Sequence, residues 1–107
     1  MKFLFAMVCL QFALSSPLLS YAADLKAGEK AAQNCVMCHG QYGLSSMAGT
    51  PSIAGQPEVY LSSQLKQFRD GTRQNAVMNQ IAKSLSDADI NNVSAWFAQF
   101  ETELKKR

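Results

Sequence analysis

Cys35-Val36-Met37-Cys38-His39 is the stretch on which the reading of this chain turns. Two thiols separated by two residues, with an imidazole directly after them, form the attachment pattern of a c-type haem. The spacing has a mechanical basis. The two haem vinyl groups sit on neighbouring pyrroles, and one tight turn can present a sulfur to each. The imidazole is then held beneath the ring centre, where a nitrogen can ligate iron. Two rival readings of the same residues fall short. A redox dithiol of the thioredoxin kind wants a βαβ surround, and no such pattern is visible. A structural zinc site wants four ligands, whereas once an export segment carrying Cys9 is removed Cys35, Cys38 and His39 are the only cysteines and histidine left.

The third cysteine, Cys9, lies in the apolar run Phe3 to Leu14, which is interrupted by Gln11 and preceded by the basic Lys2. Ser20-Tyr21-Ala22 supplies small residues at the positions a signal peptidase inspects, so residues 1–22 read as a cleaved export signal and Ala23 as the mature start. The run is short for a membrane span, and stable membrane insertion after cleavage is not expected. Residues 23–107 then form one domain, to be placed in the periplasm. A domain this small often needs a metal, disulfide or cofactor for stability. A disulfide between Cys35 and Cys38 would close only a very short ring and constrain little, so a haem is the better staple. The formal charge of +2 shows no basic face of the kind that marks nucleic-acid binding.

Outward from the motif the pattern is helical. Leu25, Gly28, Ala32 and Cys35 make a stripe behind the cap Asp24, and this helix is expected to run straight into the cysteine turn. Residues 43–56 have loop composition, long enough to wrap an object such as a haem edge. Pro57 suits the first position of a second helix carrying Leu61, Leu65 and Phe68 and stopping at Gly71. Arg73 to Met78 leads into a third stretch, with Met78, Ile81 and Leu85 on one face. Ser86 and Asp89 make a capping box for a last helix bearing Ile90, Val93, Phe97 and Phe100, with Trp96 flanking. The tail Lys105-Lys106-Arg107 is favourable at a helix C-terminus. The domain reads as all-α, about four helices around a covalently attached haem.

With one histidine, a second axial ligand to iron must be something else. A methionine thioether pairs with histidine in electron-carrying haems. Met37 lies inside the attachment turn and cannot reach the far side of the ring. Met78, after a full helix, is the leading candidate; Met47 and an open iron position are the alternatives. A ligating histidine commonly gives its other N–H to an acceptor, for which the Pro51 carbonyl is a candidate. Gln56 and Arg73 could bind haem propionates. Tyr42, Tyr60 and Trp96 read as packing residues.

Taken in order, these pieces resemble a monohaem class I cytochrome c, similar to a single lobe of the dihaem cytochromes of the c-four type. The likeness is carried by Asp24 and Gly28, Cys35-x-x-Cys38-His39-Gly40 and Pro51-Ser52-Ile53-Ala54-Gly55-Gln56. It continues through Gln64-Leu65-x-x-Phe68-x-x-Gly71-x-Arg73-x-Asn75-x-x-Met78, Leu85-Ser86-Asp87-x-Asp89-Ile90 and Trp96-Phe97. The resemblance implies that Met78 is the distal iron ligand, that Pro51 supports His39, and that the first and last helices cross with Gly28 against Trp96. The dihaem proteins have a second attachment motif; this sequence has one. A periplasmic one-electron carrier with His/Met ligation is therefore the expected function, with dehydrogenases, oxidases or other cytochromes as redox partners. The cytochrome subunit of a periplasmic dehydrogenase is the alternative. An open-site gas sensor or peroxidase-like protein would require that Met78 be only a core residue.

Overall fold

The computed structural model describes residues 22–100. The export signal expected over 1–22, apart from Ala22, and the basic tail Lys105-Lys106-Arg107 lie outside the described residues.

Five helices follow one another: α1 Leu25–Ala32, α2 Val36–His39, α3 Glu58–Asp70, α4 Ala76–Lys83 and α5 Asp87–Ala98. No strand occurs among the described residues. The all-α architecture is as expected, with one more helix than the sequence pattern indicated. The extra helix arises because α1 does not run into the cysteine turn. Its last turn tightens: Gln33, Asn34 and Cys35 donate their N–H groups to the carbonyls three residues back, at 3.3, 3.4 and 2.8 Å. That tighter geometry ends the α-helix, and the motif becomes a separate single turn, α2.

The caps explain the remaining boundaries. Asp24 accepts from Lys26 N and Ala27 N at 3.0 and 3.1 Å and starts α1. Pro57 is the extended cap of α3, one place earlier than predicted, and Gly71 closes that helix. Asn75 caps α4, so Met78 lies inside the first turn of a helix and not on the connecting segment expected from the sequence. Leu85 lies beyond the end of α4, in the turn to α5. Ser86 and Asp89 form the reciprocal capping box that starts α5.

Helix α5 is the centre of the assembly, packing against both α1 and α3, while α4 lies on α3. Ala32, Leu61, Val93 and Phe97 are buried together, with Cys35, Ile53, Leu65 and Trp96 packed on them. Fully burying a side chain the size of Val, Leu or Phe contributes about 1.5–3 kcal/mol, so this cluster and the fully buried Ile90 carry much of the fold. The predicted stripe on α5 understated its burial, because Asn92, Ser94 and Ala95 are also buried between neighbours.

The α1–α5 crossing depends on Gly28. A Cβ there would run into the backbone carbonyl oxygen of Asn92 and would stand 3.1 Å from the Trp96 Cβ. The expected Gly28–Trp96 approach is present, but the tighter neighbour is the Asn92 carbonyl, one turn earlier on α5. The Asn92 side chain adds a polar tie, accepting from Asp24 N at 2.9 Å. Across the described residues, no helix is long and apolar enough to cross a membrane.

Candidate functional site

Three chemically reactive side chains come from one short segment. Cys35 caps α2, and Cys38 and His39 lie within it. Both cysteines are free thiols; Cys38 is exposed and Cys35 is half-buried. Burial against the core, and secondarily the neighbouring Cys38, push the Cys35 thiol up to about 11. Cys35 is therefore an uncharged thiol at neutral pH in the chain before any haem is attached.

His39 is buried, and its Nδ1 lies 2.8 Å from the carbonyl oxygen of Pro51. A carbonyl can only accept, so the proton of the neutral ring belongs on Nδ1. That leaves the lone pair on Nε2, the arrangement a metal-binding histidine requires. Two thiols and an oriented imidazole on one turn are a donor set that fits a covalently held haem iron. Cys38 and His39 also take part in backbone bonds to Cys35, with Cys38 N and His39 N donating to its carbonyl at 3.2 and 2.9 Å. The turn is thus internally braced.

The chain leaves α2 through Gly40, whose φ is 87°. A side chain here would be strained by that backbone conformation and would strike the Leu44 carbonyl. The loop that follows is organised by hydrogen bonds. Ile53 N and Ala54 N both donate to the Gly43 carbonyl at 2.7 and 3.0 Å, and Gly55 N donates to Phe97 O at 2.9 Å, anchoring the loop on α5. Ser45 Oγ donates to the Cys38 carbonyl at 3.2 Å while Ser52 Oγ accepts from Ser45 N at 3.0 Å. These bonds bring Pro51 back to His39. Sequence reasoning did not single out Ser45, and no spacing rule would have done so, since its role depends on the loop path.

The other predicted residues are distributed as follows. Met37 is 86% exposed and Met47 49% exposed. Met78 is half-buried, with its backbone N–H held by the Asn75 side chain at 2.9 Å. Gln56 donates to the Ser52 carbonyl at 3.1 Å. Arg73 donates to Gln64 Oε1 at 2.6 Å, and its guanidinium carbon stands 4.6 Å from the centre of the Phe68 ring. Gln56 and Arg73 are both engaged with protein groups. Tyr42 and Trp96 pack as aromatics, each against Phe100 with ring centres 5.2 and 5.0 Å apart. Tyr60 is instead 46% exposed.

Comparison with known proteins meets this geometry. The family model described as Cytochrome c matches residues 25–101. Cytochrome c-554(548) of Halomonas halodenitrificans is 39% identical over 83 residues, covering 75% of this chain and 100% of that protein. A protein named thiosulfate dehydrogenase electron acceptor, from Thiomonas intermedia, is 40% identical over 80 residues; the match covers 74% of this chain but 37% of that one. The crystal structure of reduced recombinant cytochrome c4 from Pseudomonas stutzeri superposes with a TM-score of 0.69 at 31% identity, covering 75% of this chain and 51% of that chain. The chain thus spans about half, or less, of the length of the two larger relatives. From the thiol pair, the oriented imidazole and these matches together, the chain belongs to the cytochrome c family, whose c-type haem is bound covalently.

Proposed function

We propose that this protein is a one-electron carrier of the periplasm, with Cys35 and Cys38 as the haem thioether residues, His39 as the proximal iron ligand and Met78 as the distal one. The observation that carries this reading is the His39 Nδ1–Pro51 hydrogen bond beside the two free thiols, because it commits the ring to ligation through Nε2. When bound, the haem supplies one-electron exchange between ferric and ferrous iron. The protein residues do the rest. The thiols tether, Pro51 holds the imidazole against rotation, and the Met78 thioether supplies a soft ligand that favours the reduced state. With His39 and Met78 both holding the iron, no position would remain there for a substrate, which is the arrangement of an electron carrier. Gln56 and Arg73, engaged with the Ser52 carbonyl and Gln64, are the residues that would meet the haem propionates. Export through a cleaved segment 1–22 follows from its apolar run and small-residue cleavage site.

The test is expression in a host competent for c-type haem maturation. The expected product has a sharp reduced α band, a sulfur-to-iron charge-transfer band when oxidised, and no carbon monoxide binding when reduced. In Met78→Ala the charge-transfer band disappears and carbon monoxide binds. Ready carbon monoxide binding by the unmodified reduced protein would instead establish an open site of the sensor or peroxidase-like kind.

A second reading, the cytochrome subunit of a dehydrogenase, is favoured by the similarity to the Thiomonas electron acceptor. A persistent complex buries a large interface, so co-purification of a dehydrogenase from the native source supports it, and a monomer eluting alone supports the free carrier.

A further inference from the structure

The starts of α4 and α5 use the same capping logic with one difference. At α5 the cap side chain, Ser86 Oγ, accepts from Asp89 N at 3.0 Å, and Asp89 Oδ2 accepts from Ser86 N at 3.1 Å. The third helical position is thereby occupied in capping. At α4 the cap Asn75 Oδ1 accepts from Val77 N and Met78 N at 3.1 and 2.9 Å. The return bond onto Asn75 N comes from Asn79 Oδ1 at 2.8 Å, one residue later than the usual box. The third position is left with no capping duty, and Met78 stands there.

Asn79 does more than close the cap. Its Nδ2 donates to the Phe68 carbonyl at 2.8 Å and to the Arg73 carbonyl at 2.9 Å. An amide has two N–H donors, and both are used. Phe68 lies in the last turn of α3, where carbonyls lack an intrahelical partner. One side chain therefore joins the end of α3, the connecting turn and the cap residue of α4. This tie matters because α4 is eight residues long and Ala82 is its one buried residue. Apolar packing through one buried alanine and the half-buried Met78 and Ile81 sets the rotation of a short helix weakly, and each residue of rotation would swing Met78 by about 100°.

We propose that Asn79 is a positioning residue for Met78: by holding α4 at a fixed rotation on α3 it presents the thioether to the iron. The inference rests on the assignment of Met78 as distal ligand. Exogenous imidazole must displace the thioether from ferric iron, so its affinity reads how firmly Met78 is held. In haem-loaded Asn79→Leu, which has the side-chain size without the polar atoms, imidazole affinity rises roughly 150-fold, the size of three lost net hydrogen bonds. The charge-transfer band weakens in parallel. Asn79→Asp keeps the acceptor for Asn75 N but loses the two donors, and it moves both readouts in the same direction. Asp87→Asn, which breaks the Arg69 ion pair elsewhere, leaves both readouts unchanged even where thermal stability falls.

The outcomes separate the two ideas. If Met78→Ala keeps the charge-transfer band, the ligand assignment fails and the inference fails with it. If Met78→Ala loses the band while Asn79→Leu binds imidazole within about three-fold of wild type, the role of Asn79 is overturned and the ligand stands. If neither Asn79 variant accumulates as holoprotein while Asp87→Asn does, Asn79 is a general folding residue, and the proposal is likewise overturned.

Discussion

Replacing Gly28 by alanine sets two effects against each other, and the structure says which is larger. In an exposed helix interior the change would stabilise by about 1 kcal/mol through helix propensity. At Gly28 the new methyl group meets the Asn92 carbonyl oxygen, a backbone atom that no rotamer change can move aside. Restoring an ordinary contact requires α1 to withdraw from α5 by about 1 Å, and a gap of that size forfeits up to half of each dispersion contact along the seam. Overpacking of this kind costs about 1–3 kcal/mol. The Asp24 N–Asn92 Oδ1 bond at 2.9 Å spans the same crossing, and its loss adds about 1 kcal/mol. Taking the upper end of the packing range, because the obstacle is backbone, the net destabilisation is about 3 kcal/mol. For a domain of this size that is a fall in Tm of roughly 12–24 °C. Thermal melting of the haem-loaded protein by circular dichroism, beside Glu29→Ala on the exposed face of the same helix, measures it. A Gly28→Ala protein as stable as wild type, or more so, would refute the close-approach argument, since propensity would then be the dominant effect.

Two further outcomes follow from local features. Arg69, through its hydrogen bond first and its charge second, holds the Asp87 carboxyl below its ordinary value of 3.8. A lowered folded-state value means the pair's contribution is complete above pH 3.8 and is lost as pH falls through the lowered value. The stability difference between wild type and Asp87→Asn should therefore be constant from neutral pH to about 4 and vanish in stronger acid; it should be small, because the carboxylate is exposed. A difference that persists undiminished in strong acid contradicts the ion-pair account. Ser86→Ala removes the acceptor for Asp89 N and should cost about 1 kcal/mol, read as a lower denaturant midpoint at unchanged slope; a changed slope would mean that more than the cap has been lost.

Much of the architecture is legible in short-range patterns. Asp24, the Ser86/Asp89 pair and Gly71 mark helix ends through bonds made within a few residues, so they can be read from spacing. The stripes of α3 and α5 bury Leu61, Phe68, Ile90, Val93 and Phe97 as periodicity demands. Misreadings occurred where a choice between similar local geometries was decided by a few hydrogen bonds. The end of α1 tightened before the motif, and α4 began at Ala76, capped by Asn75, within the Arg73 to Met78 segment read as leading into it. The polar ties of Ser45, Asn79 and Asn92 were not legible at all, because each joins groups whose proximity is a product of the fold.

The thiol pair and the adjacent histidine carry their chemistry in one covalent stretch, so their spacing alone implied haem attachment and, with the order of the surrounding motifs, the cytochrome c fold. The state of the histidine was a different matter. Pro51 is twelve residues away in sequence, across a loop whose path depends on Gly40, Gly43 and the anchor of Gly55 on α5. Resemblance could name Pro51, but only the folded loop brings its carbonyl to Nδ1 and so decides which nitrogen is free. Likewise the sequence supplied a methionine after α3, whereas its setting in the first turn of α4, held by Asn75 and Asn79, came from contacts with α3. Covalent neighbours are determined by the chain; the orientation of a ring or a short helix is determined by whatever the rest of the fold packs and hydrogen-bonds against it.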